Sequence, residues 1–427
     1  MSASPCFLGV DVGTSGVRAA VIDSAGEVLA RHGVPLAMDL STPEDWWSAV
    51  AEAVTNLPAA LRQRVQAVAL DATSGTVLAC DAALQPLALP LFYHQAPAQA
   101  QAQQVASVLG PDHVAASAGS SLSKALWLVA QTGMSTRMAW CLSQTDWLTA
   151  RLRGAGLPPV TDRHNALKAG GDVVRALWPE AVRALVAWSG QWQLPAIHTP
   201  GERLGPLDPS VARAWGLSVS PQVAAGTTDA TAAFIATGVS AQGEGVTSLG
   251  STLVLKLLAD APITSTPHGV YSHWFGPRWL VGGASNAGGR VLRQFFSDAQ
   301  MTALTPQLRP DQPTGLDYRP LPGVGERFPV ADPTLLPRLE PRPADDAVFF
   351  QGLLESLART EAEGYALLQR LGAPPVQKVW AVGGGARNPV YEHIRALALA
   401  VPAVAAMESD ACVGVARLAR QGPAVFA

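Results

Sequence analysis

The sequence predicts an α/β protein made of two similarly built domains. Three observations lead there. The chain has 427 residues, and at about 150 residues per domain that length suits two to three domains. Residues 7–70 read as three strands, a helix and a fourth strand, a meander followed by a crossover. A glycine-hydroxyl hairpin then recurs, Gly13-Thr14-Ser15 near the start and Gly250-Ser251-Thr252 far downstream, which points to an internal duplication. A duplication of this kind is expected to set the two hairpins facing each other across one cleft.

Each element has its own justification. Segments 7–10, 17–22 and 28–31 are short apolar runs, separated by Asp11-Val12-Gly13-Thr14-Ser15-Gly16 and Ser24-Ala25-Gly26-Glu27. Ser41-Thr42-Pro43-Glu44-Asp45 has a hydroxyl cap, a proline at the first helical position and acids in the first turn. Trp47, Val50, Val54 and Leu57 follow at helical spacing. Segment 65–70 alternates only weakly, as a strand buried on both faces does. Strands 246–249 and 253–258 flank the second hairpin. Between residues 305 and 343 proline recurs too often for long helices or central strands, so an irregular surface segment is expected. Phe350, Leu353, Leu354, Leu357, Ala358, Tyr365 and Leu368 give a long amphipathic helix. Strand 379–382 runs into Gly383-Gly384-Gly385-Ala386-Arg387-Asn388, and a helix from about Pro389 follows.

Composition removes several functional classes. Hydrophobic residues make up 48% of the chain and charged ones 15%, which excludes a disordered chain. The net charge of −3 provides no basic field for a polyanion, so no nucleic-acid partner is expected. Lysine occurs only at Lys124, Lys168, Lys256 and Lys378. Cys6, Cys80, Cys141 and Cys412 have no paired spacing, which speaks against a disulfide framework or a zinc site. The opening residues show no basic or apolar leader, and no apolar run approaches about 18 residues. The expectation is a cytoplasmic protein with no membrane contact; the oligomeric state is not legible.

No Gly-Lys pair, Asp-Phe-Gly, G-x-S-x-G or H-E-x-x-H occurs, so the Walker A, protein-kinase, serine-hydrolase and zincin signatures are missing. Four glycine-rich turns remain. In the first, Asp11 precedes bare amides and the hydroxyls of Thr14 and Ser15; it is either an ordinary hairpin or a phosphate turn whose carboxylate holds magnesium. Gly226-Thr227-Thr228-Asp229-Ala230 places a lone acid between an apolar stretch and an alanine-rich helix, as a helix cap or a catalytic base. Gly250-Ser251-Thr252 is a second phosphate hairpin or a plain turn. Gly383-Gly384-Gly385 is a floor for a flat purine or a generic loop.

In that order the four turns carry a resemblance. The chain resembles the FGGY family of carbohydrate kinases, over nearly its whole length. Gly9-Val10-Asp11-Val12-Gly13-Thr14-Ser15 is similar to the family's first phosphate motif, and Leu142-Ser143-Gln144-Thr145-Asp146-Trp147-Leu148 with Leu152-Arg153-Gly154 to its mid-domain helix signature. Gly226-Thr227-Thr228-Asp229 is similar to the turn bearing the general base, Ser248-Leu249-Gly250-Ser251-Thr252 to the second phosphate hairpin, Gly325-Glu326-Arg327-Phe328-Pro329 to a family loop, and Gly383-Gly384-Gly385-Ala386-Arg387-Asn388 to the adenosine motif.

The resemblance implies duplicated actin-like (ribonuclease H-like) domains with an interdomain cleft: residues 1–236 binding sugar and 237–427 binding ATP, with a last helix at about 410–420 packing back on the first. It implies ATP and Mg2+ as cofactors. Asp229 takes the sugar hydroxyl proton and Asp11 organises the metal. Gly13, Thr14, Ser15, Gly250, Ser251 and Thr252 hold phosphates, while Gly384, Gly385, Asn388 and Tyr391 seat the adenosine. Asp11, Ser15, Gly16, Arg18, Ser74 and Asp229 face the sugar. Two departures bear on the substrate: Phe92-Tyr93-His94-Gln95 stands where many pentulose kinases carry a segment ending in Asp and Arg, and Asp71-Ala72-Thr73-Ser74-Gly75-Thr76 differs from the usual substrate turn. Both, with the short chain, resemble the D-ribulose kinase branch of cyanobacteria and plants, so D-ribulose phosphorylation is expected. D-xylulose or another polyol is the alternative within the family. An actin-like ATP-hydrolysing scaffold is the alternative outside it, and a sugar-sensing regulator would need a DNA-binding module before Phe7 that the sequence does not show. His164 and Asn165 line the sugar cleft or sit in a polar surface turn, and Lys124 reads as a first-turn surface residue.

Overall fold

The computed structural model describes residues 4–37, 41–131, 136–154, 156–190, 192–217 and 221–427; the first three residues of the segment read for a leader lie outside them. The chain divides into two compact units. One runs to Gly238 and takes in Asp410–Ala427, and the other is Val239–Ser409.

In the first unit β1 (Cys6–Gly13), β2 (Gly16–Asp23) and β3 (Val28–Pro35) form an antiparallel meander. Gly13 pairs with Gly16, so the turn proper is only Thr14-Ser15. Asp11, read as a turn residue, is therefore inside a strand. Thr42 caps α1 (Pro43–Thr55) in a reciprocal capping box with Asp45. The buried stripe of α1 runs from Trp46 through Ala49, Val50, Ala53 and Val54. It is one residue off the expected start at Trp47, and Leu57 lies beyond the helix end.

The next strand, β4 (Val65–Ala72), pairs in parallel with β1 and is buried on both faces. Further along come α2 (Gln144–Arg153), β5 (Arg203–Pro206), β6 (Gln222–Ala224), β7 (Thr227–Thr228) and α3 (Asp229–Thr237). The sheet order is β3-β2-β1-β4-β6-β5, with β7 paired to β4. A separate hydrophobic cluster, with Val77, Val105, Leu122, Val182 and Trp192, supports residues inserted between β4 and β5.

The helix Ala411–Gln421 belongs to this unit and packs on β1, β2, β4 and α3. Glycine makes the approach close. A methyl on Gly414 would lie 1.8 Å from the Ala232 carbonyl of α3, and one on Gly9 would lie 2.0 Å from the Cys412 carbonyl. Both obstacles are backbone, so neither can swing aside. Gly414→Ala is expected to destabilise the protein by about 1–3 kcal/mol, measured by urea unfolding; unchanged stability would contradict this packing.

The second unit repeats the plan. Its elements are β8 (Glu244–Leu249), β9 (Leu253–Ala259), β10 (Tyr271–Phe275), β11 (Arg278–Ser285), α4 (Asp346–Arg370), β12 (Lys378–Val382), α5 (Pro389–Leu399) and β13 (Ala403–Ala405). The sheet order is β10-β11-β9-β8-β12-β13. Here β11-β9-β8-β12 repeats β3-β2-β1-β4, with β10 added at the edge. The proline-rich segment 305–343 contains only a short 3-10 turn and isolated bridges. The expected long helix is α4, which buries Phe349, Phe350, Leu353, Leu354, Leu357, Tyr365 and Leu368. It is tied to α5 by a fully buried pair in which Arg395 donates to both oxygens of Glu361, at 2.7 and 2.6 Å. No helix among the described residues is long and apolar enough to cross a membrane.

Candidate active site

Strand register builds the first half of the site. Asp11 on β1 stands opposite Arg18 on β2 and Asp71 on β4, and Asp71 stands opposite Thr227 on β7. The four residues form one row across four strands. Asp11, Asp71 and Thr227 are buried and Arg18 is exposed. Arg18 donates to Asp11 Oδ2 at 3.2 Å and to Ser15 Oγ at 3.4 Å. Burial is the main cause that pushes the Asp11 carboxyl up to about 6, followed by the charge of Asp229, with Arg18 opposing. Asp71 is raised further, by burial first and the Asp11 charge second, and neither of its oxygens has a hydrogen-bonding partner at ordinary geometry among the described residues. It was overlooked as a site residue, although a lone acid in the apolar strand 65–72 is a visible signal. Thr14 and Ser15 are exposed at the turn, beside the buried Gly16.

Asp229 opens α3, but the helix cap is Thr228, and the Asp229 carboxylate accepts from the Ala230 amide at 2.8 Å. It does not hold amides two or three residues on, as a capping side chain does. The residue remains partly accessible. Burial raises its pKa, opposed by the Ala230 amide, the charge of Lys168 and the Ser74 amide.

The turn carrying Ser74 is fixed from several sides. Lys124 is fully buried, not at the surface, and donates to the carbonyls of Gly75 and Phe92 at 2.9 and 2.7 Å. Burial lowers its pKa to about 8. Thr73 Oγ1 donates to Gln144 at 2.9 Å, and Tyr93 donates its amide to Thr76 at 3.1 Å, so 92–95 is packed on this turn. His164 and Asn165 are buried, not in a surface turn: His164 Nδ1 lies 2.7 Å from Thr227 Oγ1, and Asn165 donates to Asp162 at 2.6 Å.

Because Lys168 favours the ionised Asp229, its removal raises the pKa of that carboxyl. Were Asp229 to act as a base, which works only when deprotonated, the acid limb of kcat/KM would move to higher pH in Lys168→Met. A pH–rate profile checks it, and an unmoved limb would contradict the coupling.

The second unit holds a pocket of about 720 Å³, a volume suited to a nucleotide-sized ligand. Gly250, Ser251, Gly384, Gly385, Asn388 and Tyr391 line it, together with Gly288, Gly289 and Arg293, which were not anticipated; Thr252 is not part of its lining. Gly383 sits at φ +86° beside the Leu249 carbonyl, while a methyl on Gly384 would meet nothing within 4 Å. The backbone here is bare toward the cavity, as a purine floor requires. Asn388 caps α5 through the amides of Val390 and Tyr391, and its Nδ2 donates to Thr305 at 3.1 Å. It therefore shapes the pocket wall. Tyr391 is buried, with its hydroxyl lacking a hydrogen-bonding partner among the described residues.

The oxygen donors of Asp11, Asp71 and Asp229 suit a hard cation such as magnesium. Among the described residues no group of three His, Cys, Asp or Glu is gathered as a metal cage. Magnesium in phosphoryl-transfer sites takes one or two carboxylates plus phosphate oxygens, and Asp11 with its neighbour Asp71 offers donors of that kind.

Comparison with known proteins identifies relatives of the whole chain. Over 422 residues the chain is 22% identical to the xylulose kinase of Escherichia coli strain K12, covering 91% of this chain and 84% of that protein. It is 30% identical over 272 residues to the xylulose kinase of Streptomyces coelicolor, covering 58% and 53%. Among solved structures, a xyloylose kinase from Brucella ovis superposes with a TM-score of 0.87 at 23% identity, covering 99% of this chain and 92% of that one. A Plasmodium falciparum glycerol kinase with ADP superposes at 0.82 and 14% identity, covering 97% and 89%. The N-terminal domain of the FGGY family of carbohydrate kinases matches residues 6–236 and its C-terminal domain residues 245–420. The chain, with its duplicated actin-like plan, therefore belongs to the FGGY family of carbohydrate kinases.

Proposed function

We propose that this carbohydrate kinase transfers the terminal phosphoryl group of ATP to a hydroxyl of a ketopentose, with D-ribulose preferred. The observation that carries the reading is Asp229: a partly accessible carboxylate in the first turn of α3, one residue past the cap position at Thr228 and bonded only to the neighbouring Ala230 amide along its own helix. Such a carboxylate is free to accept a proton from a polyol. The first unit binds the sugar, with Asp11, Ser15, Gly16, Arg18, Ser74 and Asp229 around it, and Arg18 also faces the transferring group. The second unit binds ATP, the turn 250–252 toward the phosphates and Gly384, Gly385, Asn388 and Tyr391 toward the adenosine. Gly13, Thr14 and Ser15 supply donors to the phosphate from the sugar side. Magnesium, when bound, neutralises phosphate charge, and Asp11 would hold it.

Two features support D-ribulose: the Ser74 turn, and the segment 92–95 without the Asp-Arg pair. The names of the relatives favour D-xylulose as the second reading. A lost buried polar contact costs about 1–3 kcal/mol, enough to change preference between epimers. ADP release measured on D-ribulose, D-xylulose, L-ribulose, glycerol and ribitol separates them. The highest kcat/KM is expected with D-ribulose; a higher value for D-xylulose or glycerol would overturn the substrate and leave the kinase.

A further inference from the structure

Glu326 belongs to the family loop noted in the sequence, and no role above uses it. It is buried in the second unit, and its carboxylate gathers four donors, the Phe328 amide at 3.5 Å being the longest. Ser285 Oγ donates to Oε2 at 2.6 Å, and the amides of Asn286 and Arg327 donate to Oε1 at 2.6 and 2.7 Å. Side chains close the same loop: Asn286 Nδ2 donates to the Gly325 carbonyl at 2.9 Å, and Arg327 Nε to Asn286 Oδ1 at 2.8 Å.

What Glu326 holds is the end of β11, and a continuous chain of hydrogen bonds leads from there to the pocket. Ser285 Oγ, fully buried, accepts from the Ala287 amide at 2.9 Å, and the Ala287 carbonyl accepts from Leu253 at 2.7 Å. Gly289 then donates to the Gly250 carbonyl at 2.9 Å and Arg290 to the Ser251 carbonyl at 3.2 Å. The contact is tight, since a methyl on Gly288 would lie 2.6 Å from Thr252 Cα. Gly250, Ser251, Gly288 and Gly289 all line the pocket.

We propose that Glu326 is a positioning residue for the nucleotide phosphates: by holding 285–287 it presses Gly288-Gly289 against the turn 250–252 and keeps that turn in place at the pocket wall. This rests on the reading that the turn holds phosphate. A buried carboxylate receiving several charge-assisted hydrogen bonds is a stiff anchor, and its loss leaves the donors unpaired.

The test combines steady-state kinetics in both substrates with calorimetric ADP binding on wild type, Glu326→Ala, Glu326→Gln and Ser285→Ala. Glu326→Ala is expected to raise KM for ATP and weaken ADP binding by about tenfold or more, with KM for the sugar within about twofold of wild type. Glu326→Gln keeps an oxygen for the two backbone amides and is expected to stay within about threefold for ATP. Should Glu326→Ala not fold, Ser285→Ala, which removes the bonds to Glu326 and to the Ala287 amide but leaves the carboxylate in place, decides by the same ATP-against-sugar split. Equal effects on both substrates, unchanged ADP binding, or no rescue by glutamine would overturn the role of Glu326. Wild type that binds no ADP would overturn the nucleotide pocket beneath it.

Discussion

Asp229→Ala is expected to lose about 10²–10⁴-fold in turnover while still binding ATP and unfolding near the wild-type temperature. A sugar hydroxyl is a poor nucleophile at neutral pH, so a positioned base carries a large share of the rate. The competing explanation makes Asp229 a helix cap, whose loss costs about 1 kcal/mol of stability and leaves chemistry alone. What supports the base is that Thr228, not Asp229, occupies the cap position, and that within α3 the carboxylate accepts from the adjacent Ala230 amide and not from amides further along. Turnover, thermal unfolding and ATP affinity on one preparation discriminate. A variant that is less stable but turns over normally would remove the assignment.

Asp11→Asn is expected to abolish activity by a different route. Its nucleotide binding should lose most of its magnesium dependence, since the carboxylate that would organise the ion is gone. Its stability should be equal to or above wild type. Burial is the leading cause of the raised Asp11 pKa, and the charges of Asp229 and Asp11 each raise a neighbour, so removing one negative charge relieves repulsion inside the first unit. Loss of activity with gained stability is the mark of a residue kept for function. ADP titrations with and without magnesium, together with urea unfolding, measure both effects. Undiminished magnesium dependence would contradict the role.

The architecture was legible where backbone signals are local. Thr42 and Pro43 announced α1, the apolar spacing announced α4, and the two glycine-hydroxyl hairpins announced the repeat. Errors arose where pairing decides. Asp11 looked like a turn residue because acid, glycine and hydroxyl residues crowd into 11–16, yet the strands pair up to Gly13 and Gly16 and leave a two-residue loop. Lys124 looked exposed because lysine mostly is. The helix Ser121–Val129 is buried nearly all round, and the ammonium finds two carbonyls there. The row of Arg18, Asp11, Asp71 and Thr227 depends on register between strands distant in sequence, which no single segment announces. Gly288, Gly289 and Glu326 acquire meaning only through the hydrogen bonds that connect them to the turn 250–252. Motif resemblance pointed to the residues proposed to touch ligand and said little about what holds them in place.

The central claim is that phosphoryl transfer here requires a sugar acceptor. The most direct measurement follows ADP, inorganic phosphate and pentose phosphate together, with magnesium-ATP, in the presence and absence of D-ribulose. The account predicts little ADP without sugar, and with sugar one pentose phosphate per ADP with negligible inorganic phosphate. ADP and inorganic phosphate released in equal amounts, unaffected by D-ribulose, D-xylulose or any polyol tested, would contradict it and describe an ATP-hydrolysing scaffold instead.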